Sequence, residues 1–398
     1  MSLLDALPTP RLGRGKHPNA VLVSLSVTML AAVWGLDAAS VAANRIVQAT
    51  GVSAMDAIGW PGVLLASLLI IAVGGLAYQP SRTNYWAALG VVVLILALMP
   101  FGLMVAGHFL IDPELPQARL GIGAGYWVLL FILMLCLIEL RLKLALKRFW
   151  PVVILSSIGL VWWLCASLWL SDLALVQEFK ARDRQFIQAA LEHILLVSVA
   201  VSISIVLGTF LALLMRRFVK LQKSAFAILN FLQTIPSLAL FGLLLAPLAW
   251  LAANVPILAQ LGVSGIGNTP ALIALVAYSL LPMVRNTYIA LEEVSPDTLE
   301  AASAMGMRAS QRFWQVRLPL ALPIMLEGVR ITTVQAIGLT AVAALIGAGG
   351  LGTFIFQGLG QAAMDMVLLG ALPILILALV VDAGLGALAE VLRPGGVR

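Results

Sequence analysis

The chain has 398 residues, of which 62% are hydrophobic and 11% charged, and its mean hydropathy is +1.05. Ordinary soluble domains carry about 45–50% apolar and about 25% charged residues, so the composition excludes both a water-facing globule and a disordered chain. The net charge of +6 and the pI near 9.6 call for no nucleic-acid partner, because cytoplasmic loops of membrane proteins collect Lys and Arg.

At about 20 apolar residues per crossing, charged interruptions divide the chain into ten candidate spans. They are Ala20–Leu36, Ile58–Tyr78, Trp86–Gly107, Ile122–Leu140, Trp150–Leu170, Gln188–Met215, Ser224–Leu251, Pro270–Leu291, Pro323–Gly347 and Met366–Glu390. The basic stretch Arg11, Arg14 and Lys16 ahead of the first run superficially resembles a secretory signal. With nine more spans behind it and no clear small-residue cleavage site, a retained first helix is expected.

Placing the N-terminus inside puts 17 Lys and Arg in the cytoplasm, among them Arg82, Arg141, Lys143, Lys147, Arg148, Arg216, Arg217, Lys220, Lys223 and Arg398. Five fall outside: Arg45, Arg119, Lys180, Arg182 and Arg184. This asymmetry predicts an all-α polytopic protein in a bilayer with both termini cytoplasmic. Cys136 and Cys165 lie within apolar runs without metal or redox spacing and read as small core residues.

The charge-dense segment Ser171–Gln185 marks a domain boundary between an N-terminal membrane region, 1–185, and a second region, 186–392. The first five spans carry unremarkable loops. No self-similar period is visible, which gives little support to the inverted repeats of secondary transporters.

The longest cytoplasmic connection, 292–322, has the punctuation of an ordered helix. Ser295 is placed to cap it, and Pro296 stands at the first helical position, where a missing N–H costs nothing. Asp297 and Glu300 set negative charge against the helix dipole, and Gly306 supplies the stop. The result is a helix of roughly ten residues, about 15 Å long. Its Ala301-Ala302 centre suits close approach by another protein, whereas a helix resting on lipid headgroups would favour Leu, Phe or Trp there.

Glu300-Ala301-Ala302, then Gly306, then Val316, Arg317, Leu318 and Pro319 resemble the EAA loop of ABC-importer permeases, with Val in place of the usual Ile. In that family the loop is the coupling helix that docks in a groove of the ATP-binding subunit. Flanking segments are similar to permeases of glycine betaine, choline and carnitine importers. These are Gln233-Thr234-Ile235-Pro236-Ser237-Leu238-Ala239-Leu240, Tyr278 with Leu281-Pro282, Arg285-Asn286-Thr287, Gly328-Val329-Arg330, and Ile346 to Gly352.

The resemblance covers roughly 186–390 and implies a five-helix type I importer core, with the first five spans as a long-form extension. It implies three protein partners: an ABC ATP-binding subunit, a separate extracytoplasmic substrate-binding protein, and a second permease copy or related subunit. ATP and Mg would be held by the partner ATPase, since no phosphate-cradling G-x-x-x-x-G-K-[ST] occurs in this chain. No catalytic residue, metal or cofactor is expected here. An amino-acid or methionine importer permease and an ion-coupled secondary transporter stand as alternatives.

The remaining candidates are polar residues inside apolar runs. Gln233, Thr234, Pro236 and Ser237 interrupt a span, as a static kink or as a pathway lining with Tyr278 and Asn286. Gly347, Gly349, Gly350 and Gly352 form either a helix stop or an external gate. Glu327 and Arg330 are spaced to pair on one helix, with Arg285 or Asp382 as neighbours, as a clamp or an inner gate. Glu192-His193, near the external start of the sixth span, is expected to be solvated at the interface. The three histidines are scattered, so no metal site is expected.

Overall fold

The computed structural model describes residues 17–44, 47–112, 114–115, 117–146 and 149–393. Arg11, Arg14, Lys16, Arg45, Lys147, Arg148 and Arg398, which contribute to the charge asymmetry, lie outside the described residues. The chain forms two compact units divided between Lys180 and Ala181, inside the charged segment 171–185.

The first unit contains α1 (Ala20–Gly35), β1 (Ala39–Ala42), β2 (Thr50–Val52), α2 (Ala54–Tyr78), α3 (Arg82–Leu110), β3 (Arg119–Ile122), α4 (Ala124–Leu144), α5 (Phe149–Leu168) and the short α6 (Ala174–Ala181). Side-chain caps start three of these helices. Asn19 accepts from the Leu22 N–H at 3.1 Å, Ser53 from Asp56 at 3.3 Å and Ser81 from Asn84 at 3.0 Å, each satisfying a backbone donor that the helix leaves free. The interior is one continuous apolar cluster that includes Leu22, Met29, Ile70, Leu96, Leu133 and Leu140, all fully buried.

The loops of this unit are more ordered than their composition suggests. β1 lies between β2 and β3 in a three-stranded antiparallel sheet, with Ala39 opposite Val52 on one side and Ile122 on the other. Arg119 at the start of β3 pairs at 2.6 Å with Glu178 of α6, whose side chain is only 2% exposed. The strands are three or four residues long, too short to show an alternating pattern.

The second unit contains α7 (Asp183–Arg217), α8 (Val219–Thr234), α9 (Ser237–Asn254), α10 (Pro256–Gln260), α11 (Asn268–Glu292), α12 (Pro296–Ala304) and α13 (Ala309–Gln311). A π-helical turn, Arg312–Arg317, runs into α14 (Leu318–Ala343), and a 3-10 turn, Ala344–Ile346, leads to α15 (Gly352–Gly360) and α16 (Met364–Val391). Helix α11 packs against both α7 and α14, and α14 also packs on α16. Buried apolar residues form separate clusters, centred on Phe241 and Tyr278, on Met215 and Val284, on Leu291 and Met325, and on Val201 and Ile337.

Among the described residues, eight helices are long and apolar enough to cross a membrane. Together with the shorter apolar α1 and the 21-residue α4, they account for the ten candidate spans. One expected span is corrected: Ser224–Leu251 is broken into α8 and α9, because Pro236 has no N–H to continue the helical ladder and Ile235 turns to extended backbone. Ser295 precedes α12, but its side chain makes no capping hydrogen bond.

Candidate functional site

The 292–322 loop folds as a helical hairpin. Helix α12 begins at Pro296, with Asp297 in its first turn. It ends where Gly306 adopts φ +83, a left-handed conformation that is unfavourable for residues with a Cβ. The Met305 and Gly306 N–H groups close the end on the Ala301 and Ser303 carbonyls, at 3.0 and 2.9 Å. The chain then reverses, and Arg312 Nη1 donates to Ser303 Oγ at 2.9 Å.

Only Ala302 of α12 is buried, while Glu300 and Ala301 are exposed. The hairpin is seated on Leu291, Val294, Ala321 and Met325, with Leu299 and Leu318 packed against them. Pro319 sits in the first turn of α14, where a missing N–H is tolerated. Arg216 at the end of α7 pairs with Glu292 at the end of α11, at 2.7 Å. The hairpin therefore stands on the ends of α11 and α14 and presents a small-residue surface, bordered by Met305 at 77% exposure and Trp314 at 65%.

The polar residues of the α8–α9 break meet α11 in a reciprocal arrangement. Pro282 cannot donate to the carbonyl four residues earlier, that of Tyr278. The Gln233 side-chain amide donates to it instead, at 2.8 Å. In return the Tyr278 hydroxyl donates to the Ile235 carbonyl, which the break leaves without a helical partner. Thr234 and Asn286 spend their side chains within their own helices, on the Phe231 and Pro282 carbonyls at 2.7 and 2.8 Å. Ser237 opens α9 without a side-chain cap.

The glycine-rich turn is held from α7. Glu192 Oε2 accepts from the Gly350 N–H at 3.2 Å, and Glu192 Oε1 accepts from Gln188 Nε2 at 2.9 Å. A Cβ on Gly349 would stand 2.3 Å from Glu192 Oε2, and Gly349 itself has φ +75. The backbone therefore favours glycine, and a Cβ would push aside the carboxylate end of Glu192. Next to it, His193 is fully buried. Its Nε2 lies 3.1 Å from the Ile337 carbonyl and so carries the proton, while its Nδ1 has no partner among the described residues. The Gly267 N–H donates to the Ile346 carbonyl at 2.8 Å, tying the start of α11 to the same turn.

The expected interfacial solvation does not hold for His193, which is fully buried, whereas Glu192 stays half-exposed while bonding the turn. Both side chains face the turn, a relationship across 158 residues that no local pattern encodes. The available signal was an ionisable pair beside an apolar run together with a glycine cluster that had no assigned packing partner.

On α14 and α16, Arg330 joins Asp382 through two hydrogen bonds, Nε to Oδ1 at 2.6 Å and Nη2 to Oδ2 at 2.8 Å. A third bond runs from Nη1 to Glu327 Oε1 at 2.8 Å. This fork-to-carboxylate geometry is the strong form of an ion pair, and it neutralises a guanidinium within two apolar helices. Arg285, considered as a neighbour, is exposed and forms no ion pair with the described residues.

A sequence profile described as "Binding-protein-dependent transport system inner membrane component" matches residues 204–394, and one described as "ABC transporter permease YehY, N-terminal domain" matches 17–176. The osmoprotectant import permease protein OsmW of Salmonella typhimurium is 41% identical over 207 residues, 52% of this chain and 91% of that protein. The choline transport system permease protein OpuBB of Bacillus subtilis is 34% identical over 56% of this chain and 96% of its own length. The carnitine transport permease protein OpuCB of Listeria monocytogenes is 35% identical over the same shares. Among solved structures, an inward-facing MetNI methionine ABC transporter aligns with 54% of this chain and 99% of its own, at 21% identity and a TM-score of 0.47. The chain belongs to the inner membrane components of binding-protein-dependent transport systems, the permeases of ABC importers.

Proposed function

We propose that this chain is the permease subunit of an ATP-driven importer of a compatible solute, glycine betaine or a related quaternary amine, working by alternating access. The substrate class rests on the names of the relatives above. The mechanical reading rests on one observation: a helical hairpin, seated directly on α11 and α14, exposes Glu300 and Ala301 while burying Ala302. A partner ATPase that closes on ATP and Mg would press on α12, and the hairpin would pass that displacement to α11 and α14. Hydrolysis on the partner would reset it.

In this reading the protein lies in the bacterial inner membrane with both termini cytoplasmic. An extracytoplasmic binding protein delivers substrate, and a second permease copy or related subunit completes the pathway. The Gln233–Tyr278 exchange and the Glu192-held turn at Gly349-Gly350 are the inner and outer parts of the path that must rearrange. Arg330, Glu327 and Asp382 clamp α14 to α16 as the helices move.

The test is ATP-driven uptake of labelled glycine betaine, choline, carnitine and proline into proteoliposomes containing the ATPase and binding protein. Gly306→Pro is expected to remove at least about 100-fold of the uptake, equivalent to nearly 3 kcal/mol of coupling, with the protein still inserted and folded. Normal uptake by that variant, or uptake driven by membrane potential without the ATPase, overturns the reading.

A further inference from the structure

Between Ala274 and Leu291 of α11, Arg285 is the one exposed residue, on a helix otherwise enclosed by α7, α8, α9 and α14. It stands about 10 Å inside the end of α11 at Glu292. A guanidinium at that depth in a membrane helix faces the bundle interior or water as a rule, and lipid is the costly alternative.

A second charge shares its face. A Cβ on Gly328 of α14 would stand 2.7 Å from Asn286 Cβ of α11, so the two helices touch there. Leu291 meets Ala321 and Met325 further along, which makes the pair antiparallel. Glu327 and Arg285 each precede one member of the Gly328–Asn286 contact, and one residue turns a helix by about 100°. In an antiparallel pair those two directions fall on the same side. Met283, which meets Gly208 of α7, lies on the other, so the charged side faces away from α7.

Glu327 is 43% exposed and gives only Oε1 to Arg330, whose charge is already matched by its two-bond pair with Asp382. Arg285 and Glu327 are therefore a surplus cation and a surplus anion on one face, with no ion pair between them. The same side is closed about two turns before Arg285, where the Tyr278 hydroxyl donates to the Ile235 carbonyl and Gln233 donates to the Tyr278 carbonyl. On its other flank Phe226 of α8 packs edge-on against Tyr288 at 6.0 Å. The two charges thus lie between α8 and α14, on the hairpin side of the Tyr278 contact.

What fits such a pair is a small molecule that carries both charges. A carboxylate matches the guanidinium fork, and a quaternary ammonium, having no N–H to donate, needs only the field of a nearby carboxylate. A lone cation meets repulsion from Arg285, and a lone anion from Glu327.

We infer that Arg285 and Glu327 hold a zwitterionic solute in transit, its carboxylate on Arg285 and its quaternary ammonium beside Glu327, an inference that rests on the transport reading above. The solute reaches this site once the Tyr278 contact opens, and leaves it toward the hairpin end.

The experiment uses the full chain with its ATPase and binding protein in proteoliposomes, and reads uptake of labelled glycine betaine and choline beside ATP hydrolysis in the same vesicles. Arg285→Gln is expected to cut glycine betaine uptake about tenfold, the worth of a charge-assisted hydrogen bond. ATP hydrolysis should still respond to the loaded binding protein, and choline, which has no carboxylate, should be affected much less. Arg285→Lys keeps the charge and should recover part of the rate.

A second arm leaves Arg285 in place. Ile331, one turn beyond Glu327 and 47% exposed, is replaced in Ile331→Cys. That thiol should react with a membrane-impermeant reagent from the hairpin side, and glycine betaine should slow the reaction more than choline does. Cys136 and Cys165 are buried and set the background. Wild-type protein that takes up no solute with ATP defeats the transport reading itself. With wild-type uptake intact, the inference is overturned by glycine betaine uptake unchanged in Arg285→Gln, by equal loss of both solutes, or by wild-type uptake of choline alone. Ile331→Cys that fails to react, or that choline protects equally, overturns it as well.

Discussion

From α1 to α5 one apolar cluster runs continuously, from Leu22 to Leu173, whereas from α7 to α16 the buried apolar residues fall into separate smaller clusters, and directional polar contacts join the helices. Those contacts are the Tyr278 and Gln233 exchange, the Glu192 bond to Gly350, and the Arg330–Asp382 pair. Three buried hydroxyls of the second unit, on Ser279, Thr287 and Thr332, have no partner among the described residues. A close-packed continuous core resists relative movement of its helices. Small clusters linked by a few directional bonds can exchange one discrete arrangement for another. The first unit holds its helices on one shared apolar core, and the second on several smaller ones with directional bonds between helices.

That contrast can be broken in order of expected effect. Leu133→Ala, in the sealed core of the first unit, should lower stability by about 2–5 kcal/mol without changing uptake per folded molecule. Thermal unfolding in detergent alongside proteoliposome uptake separates the two, and a large uptake defect at full occupancy would give the first unit a moving role. Arg330→Met leaves Asp382 and Glu327 without their cation and should cost about 1.5–3 kcal/mol. Adding Asp382→Leu and Glu327→Gln should restore much of that stability, but not uptake if the clamp takes part in transport.

Gly349→Ala should cost about 1–2 kcal/mol from its left-handed backbone alone, and the new methyl group would also displace Glu192. Combining it with Glu192→Ala relieves the second part only, so the double variant should be more stable than Gly349→Ala. Tyr278→Phe is expected to have the smallest effect, about 1 kcal/mol of stability. Its signature is a change in uptake rate, measured at equal protein, that outweighs the stability loss. Equal proportions of both would mark the contact as a static fastening.

Local signals were readable where a residue acts on its own backbone. Pro296 and Gly306 bound α12 because one lacks an N–H and the other tolerates positive φ, and both properties belong to the residue itself. Pro236 likewise marks the break between α8 and α9, although an apolar run on either side reads as a single span. Contacts made across the chain were not readable. The β1–β3 pairing joins Ala39 to Ile122 through strands too short for a period. The bond from Gly350 to Glu192 depends on where two helices lie in space, and the Arg330–Asp382 pair was one of several spacing-compatible options until the packing of α14 on α16 selected it. The failure of Arg285 to join that pair is a matter of which face of α11 it occupies.

The Tyr278 exchange also bears on how the chain enters the membrane. When the Ile235 break leaves the ribosome, its carbonyl has no helical acceptor role to fill, and its eventual donor lies 43 residues downstream. Pro282 creates the complementary vacancy at the Tyr278 carbonyl, which Gln233 has to come back to fill. A backbone carbonyl exposed to lipid without a partner costs several kcal/mol. Helices α8 and α9 are therefore better held at the insertion machinery until α11 has been synthesised, so that the three partition into the bilayer together.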